Sequence, residues 1–141
     1  MHEHSLLRAY LDANVLFSAS LSEQNGFLNF WRLHGIVPVT SDYAVREVFN
    51  NLISPAHAER FRQLLSRTER VSDADVRLIP SAISLVEKDR QILASAIGSS
   101  VDYLVTGDRN HFSHLYTSSV SGVYVMGPKE FLALFEDRLI P

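Results

Sequence analysis

Four acidic residues stand at positions where a folded chain can bring them together. Asp12 and Asp108 each follow an apolar run that predicts a buried strand. Glu47 and Asp89 lie in segments whose apolar spacing predicts helices. Acidic side chains gathered in this way from distant parts of a chain are candidates for binding a metal ion.

Bringing such carboxylates together is costly unless something offsets their charge. Two unit charges about 5 Å apart repel by roughly 3 kcal/mol at an effective dielectric constant near 20. A cluster of four therefore requires protonation or bound cations. Hard divalent ions such as Mg²⁺ and Mn²⁺ prefer oxygen ligands, and the absence of cysteine excludes a thiolate site.

One or two such ions suit the hydrolysis of phosphodiesters, because they activate a water molecule and stabilise the leaving oxygen. The protein then needs no nucleophile of its own. Consistent with this, the sequence has no G-x-S-x-G motif, no P-loop and no dinucleotide-binding fingerprint. Its net charge of −3 excludes a generally basic nucleic-acid coat protein.

The elements that must position the four acids alternate between strands and helices. Further strands are predicted at 36–40, 69–71 and 122–126, and helices at 15–19, 27–33, 55–65, 87–97 and 129–135. A helix capped by Ser41 or Asp42 is predicted to turn Phe49 inward. This alternation predicts an α/β sandwich with a mainly parallel sheet. Ligands of such sheets bind beyond the carboxyl ends of the strands, where Asp12 and Asp108 are expected.

Composition is consistent with one domain spanning residues 1–141. The chain is 46% hydrophobic, which suffices for one core. Residues 1–5 are polar and show no signal-peptide pattern, and no apolar run is long enough to span a membrane. The lack of cysteine fits a reducing, cytoplasmic location.

At four places the sequence resembles the PIN-domain nucleases. The segment YLDANVL, which contains Asp12, is similar to the opening motif of that family. The segments REVF around Glu47, EKDRQILASA around Asp89 and DYLVTGD ending in Asp108 are similar to its later motifs. The order and approximate spacing agree from Arg8 to about residue 135, although residues 69–86 match least well.

The resemblance implies a compact three-layer α/β/α fold and a ribonuclease activity that depends on Mg²⁺ or Mn²⁺. It also implies a ligand set of four acids: Asp12, Glu47, Asp89 and Asp108. Asn14 and Thr106 would orient a carboxylate or a water molecule. One departure is Ala13, where the family commonly has threonine; this removes a hydroxyl but no ligand.

The Thr-Gly-Asp sequence at residues 106–108 resembles that of VapC-like proteins, a group described as toxins of type II toxin–antitoxin pairs. This resemblance implies an RNA substrate and an antitoxin protein that inhibits cleavage by covering the site or disturbing the ligands. A homodimer is a further expectation for a small domain with apolar helices.

Each acid also has a purely structural interpretation. Asp12 suits a helix cap, and Glu47 suits the solvated face of a helix. Asp89 suits the first turn of a helix, where the dipole favours negative charge, and Asp108 suits a turn after a glycine. The joint pattern, rather than any one residue, favours a metal site.

The basic residues near the acids allow two interpretations. Arg90, Arg109 and Lys88 are candidates for contacting phosphate, but ion pairs with the acids would explain them equally well. His111 and His114 are spaced to share a helical face, which would suit either a zinc site or an ordinary surface pair. Aromatic residues at positions 27, 30 and 31 suit a buried core or a dimer contact better than a base-stacking platform.

Two other functions remain open from the sequence. A haloacid-dehalogenase-like phosphatase also uses an aspartate at a strand end, but its second aspartate is replaced here by Asn14. A non-catalytic PIN-like module would bind RNA or protein without cleaving it. The intact set of acids argues against this second alternative.

Overall fold

The fold is given by a computed structural model that describes residues 6–141. The predicted polar tail at residues 1–5 lies outside the described residues. The strands are β1 Leu7–Leu11, β2 Ile36–Ser41, β3 Glu69–Val71, β4 Tyr103–Val105, β5 Ser119–Val120 and β6 Val123–Met126. The helices are α1 Ala13–Ser20, α2 Asp42–Asn51, α3 Pro55–Leu65, α4 Glu87–Gly98, α5 Arg109–Phe112 and α6 Pro128–Leu134.

The strands in this part of the chain form one sheet in the order β3-β2-β1-β4-β6-β5. Every neighbouring pair is parallel except β5 with β6. The chain builds outward from β1 through β2 to β3, and then returns to place β4 on the other side of β1. The predicted mainly parallel sheet is therefore confirmed, and the order of its strands reverses between β1 and β4.

Helices cover both faces of this sheet and complete three layers. On one face, Tyr10 of β1 and Leu104 of β4 pack with buried residues of α4 such as Leu93. On the other face, Leu11 and Val105 pack with buried residues from α1, α2, α3 and α6. The alternation of side chains along each strand feeds both cores, and the predicted α/β/α sandwich is confirmed.

Three details differ from the sequence-based expectations. The aromatic stretch forms a 3₁₀ helix, Gly26–Trp31, rather than an α-helix. Phe49 was predicted to face inward but is 41% exposed, resting edge-on against Phe61. Strand β5 was not predicted, because it has only two residues and pairs through a tight turn in which both Ser121 and Gly122 have positive φ.

Two other features of the chain fit the sheet and its helices. Pro38 lies in β2, but β3 begins opposite Val39, so the missing amide of Pro38 falls just outside that ladder. Phe30 is 2% exposed and stacks on Phe131, so its ring is not available for stacking on a nucleic-acid base.

No helix among residues 6–141 is both long and apolar enough to cross a bilayer.

An aromatic cluster beneath α6 predicts that the C-terminal helix is essential to stability. Phe131 is fully buried, and its ring centroid lies 4.9 Å from that of Phe135 and 5.3 Å from that of Tyr103. We expect Phe131→Ala to lower the free energy of unfolding by about 3–5 kcal/mol, measured by urea denaturation. Leu134→Ala on the same helix, where the side chain is 54% exposed, should change it by less than about 0.5 kcal/mol. Equal losses would contradict this packing.

Candidate active site

A cavity of about 340 Å³ opens at the carboxyl ends of β1 and β4. This is the point at which the strand order reverses, where open α/β sheets bind their ligands. Asp12, Glu47, Asp89 and Asp108 all line it. The remaining lining residues are Ala13, Asn14, Phe17, Ser18, Val48, Asn51 and Lys88. The four predicted acids therefore share one cavity.

Asp12 is held in place by backbone and side-chain donors. It follows β1 directly and caps α1, accepting a hydrogen bond at Oδ1 from the amide of Ala13 at 2.6 Å. The hydroxyl of Thr106 donates to Oδ2 at 2.8 Å. Asn14 donates weakly to the same oxygen at 3.3 Å and accepts from the amide of Gly107 at 2.8 Å. Asn14 and Thr106 thus link Asp12 to the turn after β4, and the alanine at position 13 still provides its amide.

The environment of Asp12 disfavours its charged form. Burial raises the pKa of Asp12 to about 6, and the charges of Glu47 and Asp89 add to this effect. Hydrogen bonds from Thr106 and Ala13 oppose it by stabilising the carboxylate. Because burial is the largest cause, the donors around Asp12 offset only part of the cost.

Glu47 faces the cavity from α2 and has one basic neighbour. Burial raises the pKa of Glu47, Lys88 lowers it, and the charge of Asp89 raises it further. Lys88 Nζ lies 3.8 Å from Glu47 Oε2, and 56% of the lysine side chain is exposed. This contact is a loose surface ion pair, which leaves Lys88 free to meet another anion.

Asp89 and Asp108 meet across a histidine. Asp89 lies in the first turn of α4 and is 1% exposed, while Asp108 caps α5. Nδ1 of His111 lies 2.7 Å from Asp89 Oδ2 and 2.8 Å from Asp108 Oδ2. Burial raises the pKa of Asp89, and the nearby His111 opposes this rise. His114 is exposed and is not part of this group, so among the described residues the two histidines do not form the zinc site that their spacing would have suited.

The sequence interpretation missed the connection between His111 and the acids. The available signal was the spacing of three residues from Asp108, which caps the short helix that carries His111. The three ligand atoms of Asp89, Asp108 and His111 all lie within 4.8 Å of one another. Among residues 6–141, Asp12 and Glu47 line the same cavity but belong to no such compact group.

The two arginines predicted to contact phosphate are placed less favourably than Lys88. Arg109 pairs with Glu130 at 2.6 Å and lies over the ring of Tyr116 at 5.5 Å. Arg90 is half-buried in α4, outside the set of described residues that line the cavity. Lys88 does line it, which gives this residue the most direct access to a bound anion.

The raised pKa of Asp12 predicts a pH-dependent penalty on folding in the metal-free protein. Its value is about 6 in the folded chain against an ordinary 3.8, so the folded state keeps a proton that the unfolded state releases between these values. Wild-type stability should fall as pH rises through this window, by on the order of 3 kcal/mol. Asp12→Asn should escape this loss, and its stability relative to wild type should rise between about pH 4 and pH 7.5 in urea unfolding.

Asp137 provides a matched control, since it is exposed in the 3₁₀ turn near the C-terminus, away from the cavity. Asp137→Asn removes the same charge and should differ from wild type by a nearly constant amount over this pH range. A constant difference for Asp12→Asn as well would mean that the cavity does not disfavour the charge of Asp12.

Comparisons with known proteins bear on the family and the fold of this chain. The family model described as PIN domain matches residues 8–110. A crystal structure of VapBC2 from Rickettsia felis, bound to a DNA fragment from their promoter, is similar with a TM-score of 0.61 and 14% identity. The similarity covers 86% of this chain and 98% of that chain. A search of curated proteins gives no significant match.

The family match and the structural likeness support different conclusions. At 14% identity, the structural likeness bears on the fold alone. The family match extends from Arg8 in β1 to Asn110 in α5, which is well over half of the chain and includes all four acids. The chain therefore belongs to the PIN domain family.

Proposed function

We propose that this chain is an endoribonuclease that uses Mg²⁺ or Mn²⁺ to hydrolyse phosphodiester bonds in RNA. The observation that carries the proposal is the convergence of four carboxyl groups on one cavity at the end of the sheet. PIN domains are generally nucleases, so membership of this family supports the hydrolysis of nucleic acid. The choice of RNA rests on the resemblance of the Thr-Gly-Asp motif to ribonuclease toxins.

The donor atoms in the cavity fit a divalent cation. Asp89 Oδ2 is buried and makes no hydrogen bond with any described residue. A buried charged oxygen without a partner is costly unless a proton or a cation approaches it. Asp89 and Asp108 would hold the ion, and Asp12 and Glu47 would provide further carboxylates in the same cavity. A set dominated by carboxylate oxygen suits Mg²⁺ or Mn²⁺.

The residues of this chain would then position the reactants. A bound divalent cation supplies a more acidic water molecule and neutralises charge on the phosphate. Asp12, fixed by Thr106 and by the backbone of Ala13, is placed to orient the attacking water. Asn14 accepts a hydrogen bond from the amide of Gly107 and so holds this turn beside Asp12. Attack in line with the leaving oxygen would produce a 5′-phosphate and a 3′-hydroxyl.

Lys88 is the residue that we propose for contacting the substrate phosphate. Its loose ion pair with Glu47 would be exchanged for a phosphate contact when Glu47 turns to a cation. Arg90 and Arg109 were the predicted contacts, but the ion pair of Arg109 with Glu130 would have to break first. Lys88 therefore has the lower cost of rearrangement.

The site disfavours the phosphatase alternative. A haloacid-dehalogenase-like enzyme needs an acid two residues after its nucleophile, and this position holds Asn14. The amide of Asn14 is engaged with Asp12 and Gly107, so this residue is a structural link without a proton to transfer. No observation favours a non-catalytic module, which remains an outcome of the cleavage experiment below.

We further propose that the chain is the toxin of a type II toxin–antitoxin pair and is inhibited by a partner protein. The fold likeness to VapBC2 and the Thr-Gly-Asp motif support this proposal. Phe49 and Ile53, at the end of α2 that borders the cavity, are 41% and 69% exposed. These apolar side chains offer a surface for an antitoxin segment; a second copy of this chain is the alternative partner.

The cleavage proposal predicts that single carboxylates are indispensable. With Mn²⁺ present, Asp12→Asn and Asp108→Asn should each cut total RNA more than about 100-fold more slowly than wild type, measured on denaturing gels. Residues that merely orient metal ligands contribute roughly 10–100-fold, so a ligand should contribute at least as much. EDTA should abolish wild-type cleavage, and added Mn²⁺ should restore it.

Asp137→Asn is again the control and should cleave at the wild-type rate. Wild-type rates in Asp12→Asn or Asp108→Asn would refute the assignment of the site. RNA that is bound but not cut by the wild-type protein with either metal ion would instead favour the non-catalytic module.

The toxin proposal predicts a growth effect that depends on cleavage. Induced expression of the wild-type chain in a bacterial host should arrest growth, whereas Asp108→Asn at equal expression should not. Co-expression of a small protein encoded beside this gene should restore growth, since the partner covers the cavity. Equal growth arrest by wild type and Asp108→Asn would show that toxicity does not depend on the acidic site, and it would refute the toxin proposal.

A further inference from the structure

One histidine contacts two of the four carboxyl groups from beside the cavity, without being part of its lining. Nδ1 of His111 lies 2.7 Å from Asp89 Oδ2 and 2.8 Å from Asp108 Oδ2. This nitrogen is buried, although 41% of the side chain remains exposed. His111 therefore directs one atom into the acidic group from the rim.

Local structure fixes this placement. Asp108 caps α5 and accepts a hydrogen bond at Oδ1 from the backbone amide of His111 at 3.3 Å. Its other oxygen, Oδ2, is then free to face the imidazole of the same residue. Asp89 approaches from the first turn of α4 and is 1% exposed, so its carboxyl group has little freedom to turn away. Two helix N-termini thus hold three side chains together.

The contacts are short enough for ion pairs, but the direction of approach does not suit a hydrogen bond. Neither His111 Nδ1 nor Asp89 Oδ2 has a hydrogen-bond partner of acceptable direction within residues 6–141. A protonated ring has one N–H at Nδ1 and can direct it at one oxygen only. A cation among the three atoms would serve all of them at once. With ligand distances of about 2.1 Å, neighbouring ligands of an octahedron lie about 3 Å apart, close to the separations observed.

We propose that His111 is a metal ligand through Nδ1, together with Asp89 and Asp108, and that this nitrogen makes the site prefer Mn²⁺ to Mg²⁺. The inference rests on the proposed metal-dependent function and specifies which ion the site selects. Mg²⁺ binds almost entirely to oxygen and retains several waters, whereas transition-metal ions bind imidazole well. A site made of carboxylates alone would discriminate less between the two ions.

The competing role for His111 is that of a positive charge that balances the two aspartates. The two roles have opposite consequences for metal affinity. Removing a ligand weakens binding, and it weakens the binding of Mn²⁺ more than that of Mg²⁺. Removing a competing cation strengthens the binding of both ions, because the carboxylates lose a charge that repels metal.

The test uses the full chain and reads metal binding directly. Calorimetric titration with Mn²⁺ and with Mg²⁺ should show that His111→Ala loses about 10-fold or more in affinity for Mn²⁺ and less for Mg²⁺. His111→Gln, which offers an amide oxygen, should retain Mg²⁺ binding and lose the preference for Mn²⁺. Pulsed electron paramagnetic resonance of bound Mn²⁺ should show coupling to ¹⁴N in wild type and not in His111→Ala.

His114→Ala is the matched control, since His114 is exposed three residues further along and lies outside the acidic group. It should retain both the affinities and the ¹⁴N coupling. The proposal is overturned by a wild-type protein without ¹⁴N coupling, by equal losses for the two ions, or by tighter binding in His111→Ala. Circular dichroism shows whether each variant is folded. If His111→Ala does not fold, the affinities of His111→Gln for the two ions provide the test.

These measurements distinguish a failure of the proposed role of His111 from a failure of the proposed nuclease function. If Mn²⁺ binds through nitrogen but RNA is not cleaved, the metal site stands and the proposed nuclease function fails. If RNA is cleaved with either ion and no nitrogen coordinates Mn²⁺, the nuclease function stands and the role of His111 fails.

Discussion

The burial of several carboxyl groups in one confined space is the constraint on which the site depends. Four carboxyl groups share one cavity, and burial is the main cause of the raised pKa values of Asp12, Glu47 and Asp89. The surrounding groups each offset part of this cost through a hydroxyl, backbone amides, a lysine or an imidazole. The remaining cost can be offset by protons or by bound cations, and the proposed metal-dependent function would use this property.

The fold supplies the rigidity that keeps these charges together. Strands β1 and β4 are neighbours at the centre of the sheet, with Leu11 paired to Val105, so the residues that follow them emerge side by side. Apolar layers on both faces hold these strands, while α2 and α4 bring Glu47 and Asp89 over the same edge. The elements that carry the four acids therefore cannot move apart without disturbing the core.

Much of this architecture was predictable because it follows from local periodicity. Helix α3 begins at Pro55 and ends at Leu65 as predicted, and even the three-residue strand β3 was correctly located. The failures occurred where local pattern and tertiary packing diverge. Phe49 follows the apolar spacing of α2 yet lies at the edge of the core, and β5 is too short to carry a periodic signal.

For the site, the residue types at strand ends and helix starts were enough to single out the four acids, together with Asn14 and Thr106. The alternation of strands and helices predicts a parallel sheet, and the carboxyl ends of parallel strands share one edge, where ligands bind. The partners of the charged residues were not predictable in this way: Arg109 turned to Glu130, Lys88 to Glu47, and His111 to two aspartates. Such choices depend on distances of a few ångströms between elements far apart in the chain, and spacing along one element contains no information about them.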